Sequence, residues 1–572
     1  MAANAFDDVG PRHPQPRPVK ELSWELANHS KAYLEAQQYA NGYNFLYSLL
    51  AAGTSISVPA KPYAGFLAPA AQLALASTLI AYPAVTTKSK SAEIMQGSDA
   101  AVRYLRCVQN TIEGPAYRVV KKAFSFPDDR TRRHIPGHRS RAVSPSPAAG
   151  ADVERLEGVA ANAHSLWYRA DDFWHILGWA FNCSVAYKKR WERWKLWLQV
   201  MLDFLESDWK TRLKAGRDEG EGRESTLQDS LLWQYISSQD PTNRNIRRRM
   251  IRAVLAAGTE ESLRHYPEVW VNETVEPKPR DKDTERIAPT DVGNGELGGY
   301  QSVDEDVIMQ DASTLDKGKA RSRTSSSASS SSRPSSVRFN ADDAGGRFGG
   351  MEAIELRQRF IAILVQVAQE LPKQFASLED FLDDLTEELR QLPIFIFSAF
   401  VSTSRLSSLA ELALNANLLL PLATGQLPNY TKIVPTQSHF ETYWLRLRGN
   451  TQSFAASAKI SLTLERMLMY MMNEHLLKAT DCLREAMECG IEARHKVYGT
   501  GKGKTRNPVE EEKGKEFIEA SSERLLGLLE VLEIASGKEL QPRKEKSKPS
   551  PLFSSFASSL SAAPESETEE DD

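Results

Sequence analysis

The sequence predicts an all-α protein: two irregular blocks of helical bundle or helical hairpins, separated by a long disordered linker. Apolar residues recur at spacings of three and four along nearly every ordered stretch, where strands would need alternation by two. A polar gap at residues 273–350 divides the chain, and nine of the twelve residues from Ser325 to Ser336 are serine. Seven of the eleven tryptophans fall between Trp167 and Trp209, which puts an unusual amount of apolar area in one place.

Composition narrows the classes of function before any motif is considered. The chain has 572 residues, 41% of them hydrophobic, enough for several domains with real cores. Lys plus Arg at 71 nearly balances Asp plus Glu at 75, so any charge-driven binding must be local. The four cysteines, Cys107, Cys183, Cys482 and Cys489, assemble neither a disulfide framework nor a four-ligand metal site.

Residues 1–20 mix acids and prolines where a secretory signal needs a basic start and an apolar run, and they read as a disordered N-terminus. The first block spans residues 21–272. Within 30–51, Tyr33, Leu34, Tyr39, Phe45, Leu46 and Leu49 form one helical stripe, and 70–82 and 100–113 behave alike. Residues 64–85 are the most lipid-like, but Pro69 and Pro83 leave about fourteen residues between them, short of the ~20 that a bilayer needs. A buried core helix is expected there, and no membrane partner.

A flexible loop at 128–150 carries a basic cluster from Arg130 to Arg141, followed by the Ser-Pro pairs at Ser144 and Ser146. Basic runs in flexible chain are read by import receptors, which predicts a nuclear location with the cytoplasm as the alternative. Phosphate added at Ser144 or Ser146 would oppose that charge, as it would at Ser550 within the basic run 542–551.

Two aromatic helices follow, at 167–181 and 187–213. Burying seven tryptophans at ~200 Å² each and ~25 cal/mol per Å² is worth about 35 kcal/mol as an upper bound, so they must be covered. The favoured reading makes them the core of the first block. A second reading keeps Trp191, Trp194 and Trp197 as a hydrophobic partner surface beside Tyr187, Lys188, Lys189, Arg190, Arg193 and Lys195, because tryptophan and arginine dominate interface hot spots.

The run NIRRRMIR puts Arg244, Arg248 and Arg252 on one helical face, flanked by Arg247 and Arg249. Arginine forks match phosphate and carboxylate geometry, so this helix is a candidate partner or phosphate-binding surface. The favoured reading is a solvated face paired with acids such as Glu260 and Glu261. In the linker, Val307, Ile308 and Met309 sit among acids, a composition able to add as a strand to a partner's sheet, though a chance apolar triplet in a long linker is the favoured reading.

The second block spans 351–540. Residues 351–371 supply Phe360, Ile361, Leu364 and Val367 to a stripe, and Ser377 before LEDFLDDL is a helix start. The longest helix is expected at 452–498 and a final one at 515–535, before a disordered acidic tail at 541–572. The paired acids Asp171-Asp172 and Asp383-Asp384 read as helix starts or exposed turns.

Catalytic signatures fail. YGTGKGKTRN from Tyr498 lacks the first glycine of a phosphate loop, and no zinc-protease helix, nucleophile elbow or dinucleotide turn occurs. The expectation is therefore a non-catalytic nuclear scaffold or subunit of a multiprotein complex. It would use no cofactor and no metal, and would be regulated by phosphorylation of its linkers. A nucleic-acid-binding factor using the arginine helix is the second choice. Some 75 linker residues would span ~45–50 Å, letting each block hold a different protein.

Overall fold

A computed structural model describes residues 18–51, 64–89, 91–114, 117–127, 155–218, 222–275, 348–419, 435–449, 452–497 and 507–539. The all-α class holds. Among the described residues the strands are limited to β1 (Val19–Glu21) and β2 (Gly65–Leu67), paired in parallel with Val19 opposite Gly65.

Helix α1 (Trp24–Glu35) starts at Ser23, whose hydroxyl accepts from the Leu26 N–H, and α2 (Tyr39–Ala51) folds back beside it. The single stripe expected over 30–51 is thus two helices. The chain turns at Gln37, with φ of 58°, and a Cβ on Gly42 would lie 2.8 Å from Leu34 Cδ2, so a larger residue there would have to displace the Leu34 side chain.

Next comes α3 (Ala70–Ala81), buried on almost every side. Its polar residues all have partners. Gln72 accepts from the Ser30 hydroxyl at 2.9 Å and donates to the Ala27 carbonyl at 3.1 Å, while Ser77 accepts from the Trp167 indole at 2.7 Å. That is core chemistry, and no helix among the described residues is long and apolar enough to cross a membrane.

The block continues through α4 (Ala92–Thr111), α5 (Tyr117–Ala123), the single turn α6 (Leu166–Arg169), α7 (Phe173–Ala186) and α8 (Lys188–Asp218). Shorter helices α9 (Arg223–Gln228), α10 (Leu231–Ile236), α11 (Arg244–Val254) and α12 (Glu260–His265) close it. At 31 residues, α8 is the central strut, with α3, α4, α7 and α13 (Met351–Glu370) packed around it.

That setting decides the tryptophans. Trp194 and Trp197 are fully buried and Trp191 is 4% exposed, so these three are core and not a partner surface. The four neighbours cover the faces that carry the tryptophans, while Glu192, Lys210 and Lys214 mark the face left to solvent. The rings pack in specific pairs, with Phe173 stacked on Tyr235 at 4.3 Å and Trp167 on Phe124 at 5.2 Å.

Burial also raises the tyrosine hydroxyls: Tyr39 and Tyr117 are each pushed up to about 12 from an ordinary 10, and Tyr43 and Tyr235 well above it. A raised folded-state value means the contribution is intact below pH 10 and is lost as pH climbs through 12. Alkaline unfolding should therefore run together with the 295 nm tyrosinate signal. Ionisation of every tyrosine of the chain near pH 10, with circular dichroism unchanged, would contradict this.

The second block adds α14 (Leu378–Gln391), α15 (Ile394–Ser402) and α16 (Ser408–Leu419). A turn α17 (Gln437–His439) then runs into a π-helical stretch Phe440–Leu445, before α18 (Phe454–Asn473), α19 (Asp481–His495) and α20 (Pro508–Ala535). Ser377 caps α14 as the sequence indicates, accepting from the Asp380 N–H. The long helix expected over 452–498 is instead α18 and α19. The chain reverses at His475, with φ of 56°, and Thr480 caps α19, because Leu464, Met467, Leu483 and Met487 reach one core only from two axes. The last helix begins before 515, where Asn507 caps Pro508.

The two blocks are distinct in sequence but not held apart. One large core contains Trp194 and Phe181 together with Phe348, Phe360 and Leu385, and Phe360 meets Phe181 edge to face at 6.2 Å and Phe173 at a tilt at 6.3 Å. The ~45–50 Å reach expected of the linker is corrected accordingly, since buried aromatic contact fixes the distance. Its boundaries move too: Glu273 and Phe348 are buried, so both blocks extend into the gap. A smaller core joins α16 to α20 through Leu412, Trp444, Leu464, Met487 and Leu529.

Candidate functional site

The arginine helix α11 begins at Asn243, whose side chain accepts from the Asn245 N–H at 2.9 Å. Met250, Ile251, Ala253 and Val254 go into the core, and the arginines line the remaining face. They do not meet Glu260 or Glu261. They meet α14, where Asp384, Glu387 and Glu388 stand at spacings of three and four and match the arginine rise of four.

Arg244 Nε lies 2.7 Å from Asp384 and Arg247 Nε lies 3.1 Å from its other oxygen. Arg248 reaches Glu387 and Glu388, each at 3.1 Å, and Arg252 reaches Glu388 at 3.0 Å. Arg249 turns the other way and holds Asp172 at 2.6 and 3.1 Å, the same carboxylate that caps α7 through the His175 N–H. Asp384 is only 1% exposed, which corrects its reading as an exposed turn: it is the buried centre of a clasp between the blocks. Burial, then the neighbouring Glu379, Asp380 and Asp384, pushes the Asp383 carboxyl above its usual range.

Arg244, Arg247, Arg248 and Arg252 each already have a carboxylate partner on α14, although Arg244 and Arg252 remain about half exposed. Reversing Arg248 and Arg252 to glutamate should lower the unfolding midpoint by roughly 2–6 °C, and reversing Glu387 and Glu388 to arginine as well should recover most of it. An unchanged midpoint in the one-sided variant would show that the clasp contributes nothing.

An arginine from the second block completes the junction. Arg357, on α13, is fully buried and faces no carboxylate. Its guanidinium donates to the carbonyls of Val254 at 3.0 Å, Ala256 at 2.7 Å and Phe348 at 2.7 Å, and to the Ser184 hydroxyl at 3.3 Å. The Phe181 and Phe348 rings flank it at 4.3 and 3.9 Å. It sits over the C-terminal carbonyls of α11, the negative end of that helix. Burial pushes its ionisation well below the usual arginine range.

Beneath the tryptophans lies a third buried group. Glu273 accepts from Arg190 Nε at 2.8 Å, the Trp194 indole at 2.8 Å and the Trp179 indole at 3.1 Å, while Arg190 also donates to Thr86 and Thr87. Assigning Glu273 to the linker overlooked it. Arg357, by contrast, carried a signal: it shares the apolar stripe of Ile354, Ile361 and Leu364.

A recess of about 540 Å³ opens between α15, α16 and α18, with Lys459, Arg390 and Glu510 at its edge. Each of these is tied to backbone: Lys459 to the Arg390 carbonyl at 2.7 Å, Arg390 to the Asn417 and Leu418 carbonyls, and Glu510 to the Ile394 N–H. Burial pushes the Lys459 amine down. Cys107 and Cys183 are buried thiols and Cys482 and Cys489 exposed ones. Among the described residues, no three His, Cys, Asp or Glu side chains converge as metal ligands do.

Val307, Ile308, Met309, Ser144, Ser146 and Ser550 lie outside the described residues, as do residues 498–506. No known protein family matches the chain, and no curated protein matches it.

Proposed function

We propose that this chain is a non-catalytic scaffold, or a subunit of a multiprotein complex, that acts in the nucleus. The observation supporting this reading is the inter-block junction: four arginines of α11, three acids of α14 and the buried Arg357 are spent on fixing two helical blocks into one body. Such a body offers helical surfaces at fixed relative positions, which suits holding other proteins in register. Basic runs at 130–141 and 542–551 serve nuclear entry in this reading, and phosphate at Ser144, Ser146 or Ser550 opposes it.

The test is isolation of the tagged full chain from its own cells at physiological salt, with cross-linking to map contacts. A stoichiometric partner cross-linked to the helical body is expected. A chain that elutes alone, as a monomer, across the salt range would overturn the proposal. The nucleic-acid alternative lacks comparable support, because its arginines are engaged. Duplex binding measured by anisotropy should change less than about twofold when Arg244, Arg248 and Arg252 become alanine, and a steep loss with a reduced salt slope would restore that alternative.

A further inference from the structure

The last helix carries a glycine that its own chain does not use. In α20 a Cβ on Gly514 would run into the Ala455 backbone, and in α19 one on Gly490 would meet the Leu445 carbonyl, so both glycines let segments pack closely. Gly527 lies in the interior of α20, and among the described residues no atom comes within 4 Å of where its Cβ would be. Apart from proline, glycine is the least favourable residue in a helix interior, and no packing within the chain offsets it here.

The surface around it is apolar where an outer helix face is usually charged. Leu525 and Leu529 point to the core, while the opposite side presents Ala520, Gly527, Val531 and Ile534 at successive spacings of seven, four and three. Val531 is 57% exposed and Ile534 59%. Those spacings make a straight seam about 21 Å long, of the kind that a second helix covers.

The seam is complementary to itself. Turning it end for end about Gly527, as the axis of a symmetric dimer does, sets Gly527 against Gly527, Ala520 against Ile534, and Arg524 against Glu530. The small residue of one copy then receives the large one of the other, and a cation meets an acid. Arg524 already holds Glu465 through Nε at 2.7 Å, but a guanidinium is a fork of several donors and can serve a second carboxylate. Shape therefore carries the pairing and charge sets its direction. A seam this short is at the small end of specific interfaces, ~1,200 Å² or less, so the pair should form and separate with concentration.

We propose that the outer face of α20 is a homodimer interface, in which two copies of the chain pair antiparallel about Gly527. This goes beyond the scaffold reading and does not depend on it. Dimerisation would duplicate whatever the helical body holds.

Sedimentation velocity on the full chain is the test. The mass should rise with concentration from that of one chain, 63.9 kDa, towards that of two. Replacing Val531 and Ile534 together, as Val531→Asp and Ile534→Asp, should weaken association by about tenfold or more. Gly527→Leu should weaken it as much while preserving the fold, because its side chain meets open space and leucine favours helix. Its unfolding midpoint, compared where both proteins are monomeric, should be no lower than the parent's. Gly527→Cys should link two copies through position 527 on mild oxidation, as mapped by mass spectrometry against the exposed native thiols Cys482 and Cys489.

The mass of a single chain at every concentration would overturn the proposal. So would a dimer that persists undiminished in both face variants, since its interface must then lie elsewhere. Cross-links from position 527 only to Cys482 or Cys489 would overturn the antiparallel pairing about Gly527.

Discussion

Arg357→Ala destabilises the protein by roughly 3–5 kcal/mol and loosens the second block from the first. The residue removed donates to three backbone carbonyls and a hydroxyl in a buried setting, so its loss leaves those acceptors without that donor. Exchanging a buried ion pair for apolar residues can be neutral when both partners are replaced. Here three of the four partners are main-chain carbonyls that no substitution removes, so Arg357→Met should be nearly as harmful despite its volume. Lysine does not rescue, because a single ammonium reaches fewer acceptors and lacks the flat face held between Phe181 and Phe348. Denaturant unfolding gives the stability, and limited proteolysis around 348–357 gives the loosening. A parental midpoint for Arg357→Ala would refute the role assigned to it.

Glu273→Ala should cost a comparable amount, about 3–5 kcal/mol, by leaving Arg190 buried without its carboxylate and two indole N–H groups without their acceptor. Glu273→Gln keeps the shape and one acceptor oxygen, so its effect should be smaller but of the same sign. Trp179 and Trp194 report directly: their emission should shift to the red as water enters. Unaltered emission and an unaltered midpoint in Glu273→Ala would mean that the acid is incidental to the core.

Helices were legible wherever burial imposes a period on one segment. The stripes of α2, α13 and α18, the cap at Ser377 and the burial of α3 all follow from residues near one another in the chain. The hairpin turns at Gln37 and His475 were not, because non-glycine residues with positive φ carry no strong mark, and the flanking apolar positions stay in phase across the break. The arginine helix was found, but its partners were not: Arg244 and Asp384 are 140 positions apart. Matching charge spacing on the two helices was the available clue, and it gains meaning only once the helices are adjacent.

What the sequence determined by itself is the kind of building piece: amphipathic helices, a tryptophan-dense centre too apolar for water, and a serine-rich interval between two blocks. Only the tertiary structure decided which faces meet. Periodicity is a local property set by 3.6 residues per turn, whereas the choice between a free arginine surface and a clasp depends on which carboxylates packing brings within 3 Å. Burial then converts that choice into energy, since a charge is costly inside a protein unless the partner placed by the fold is there to meet it.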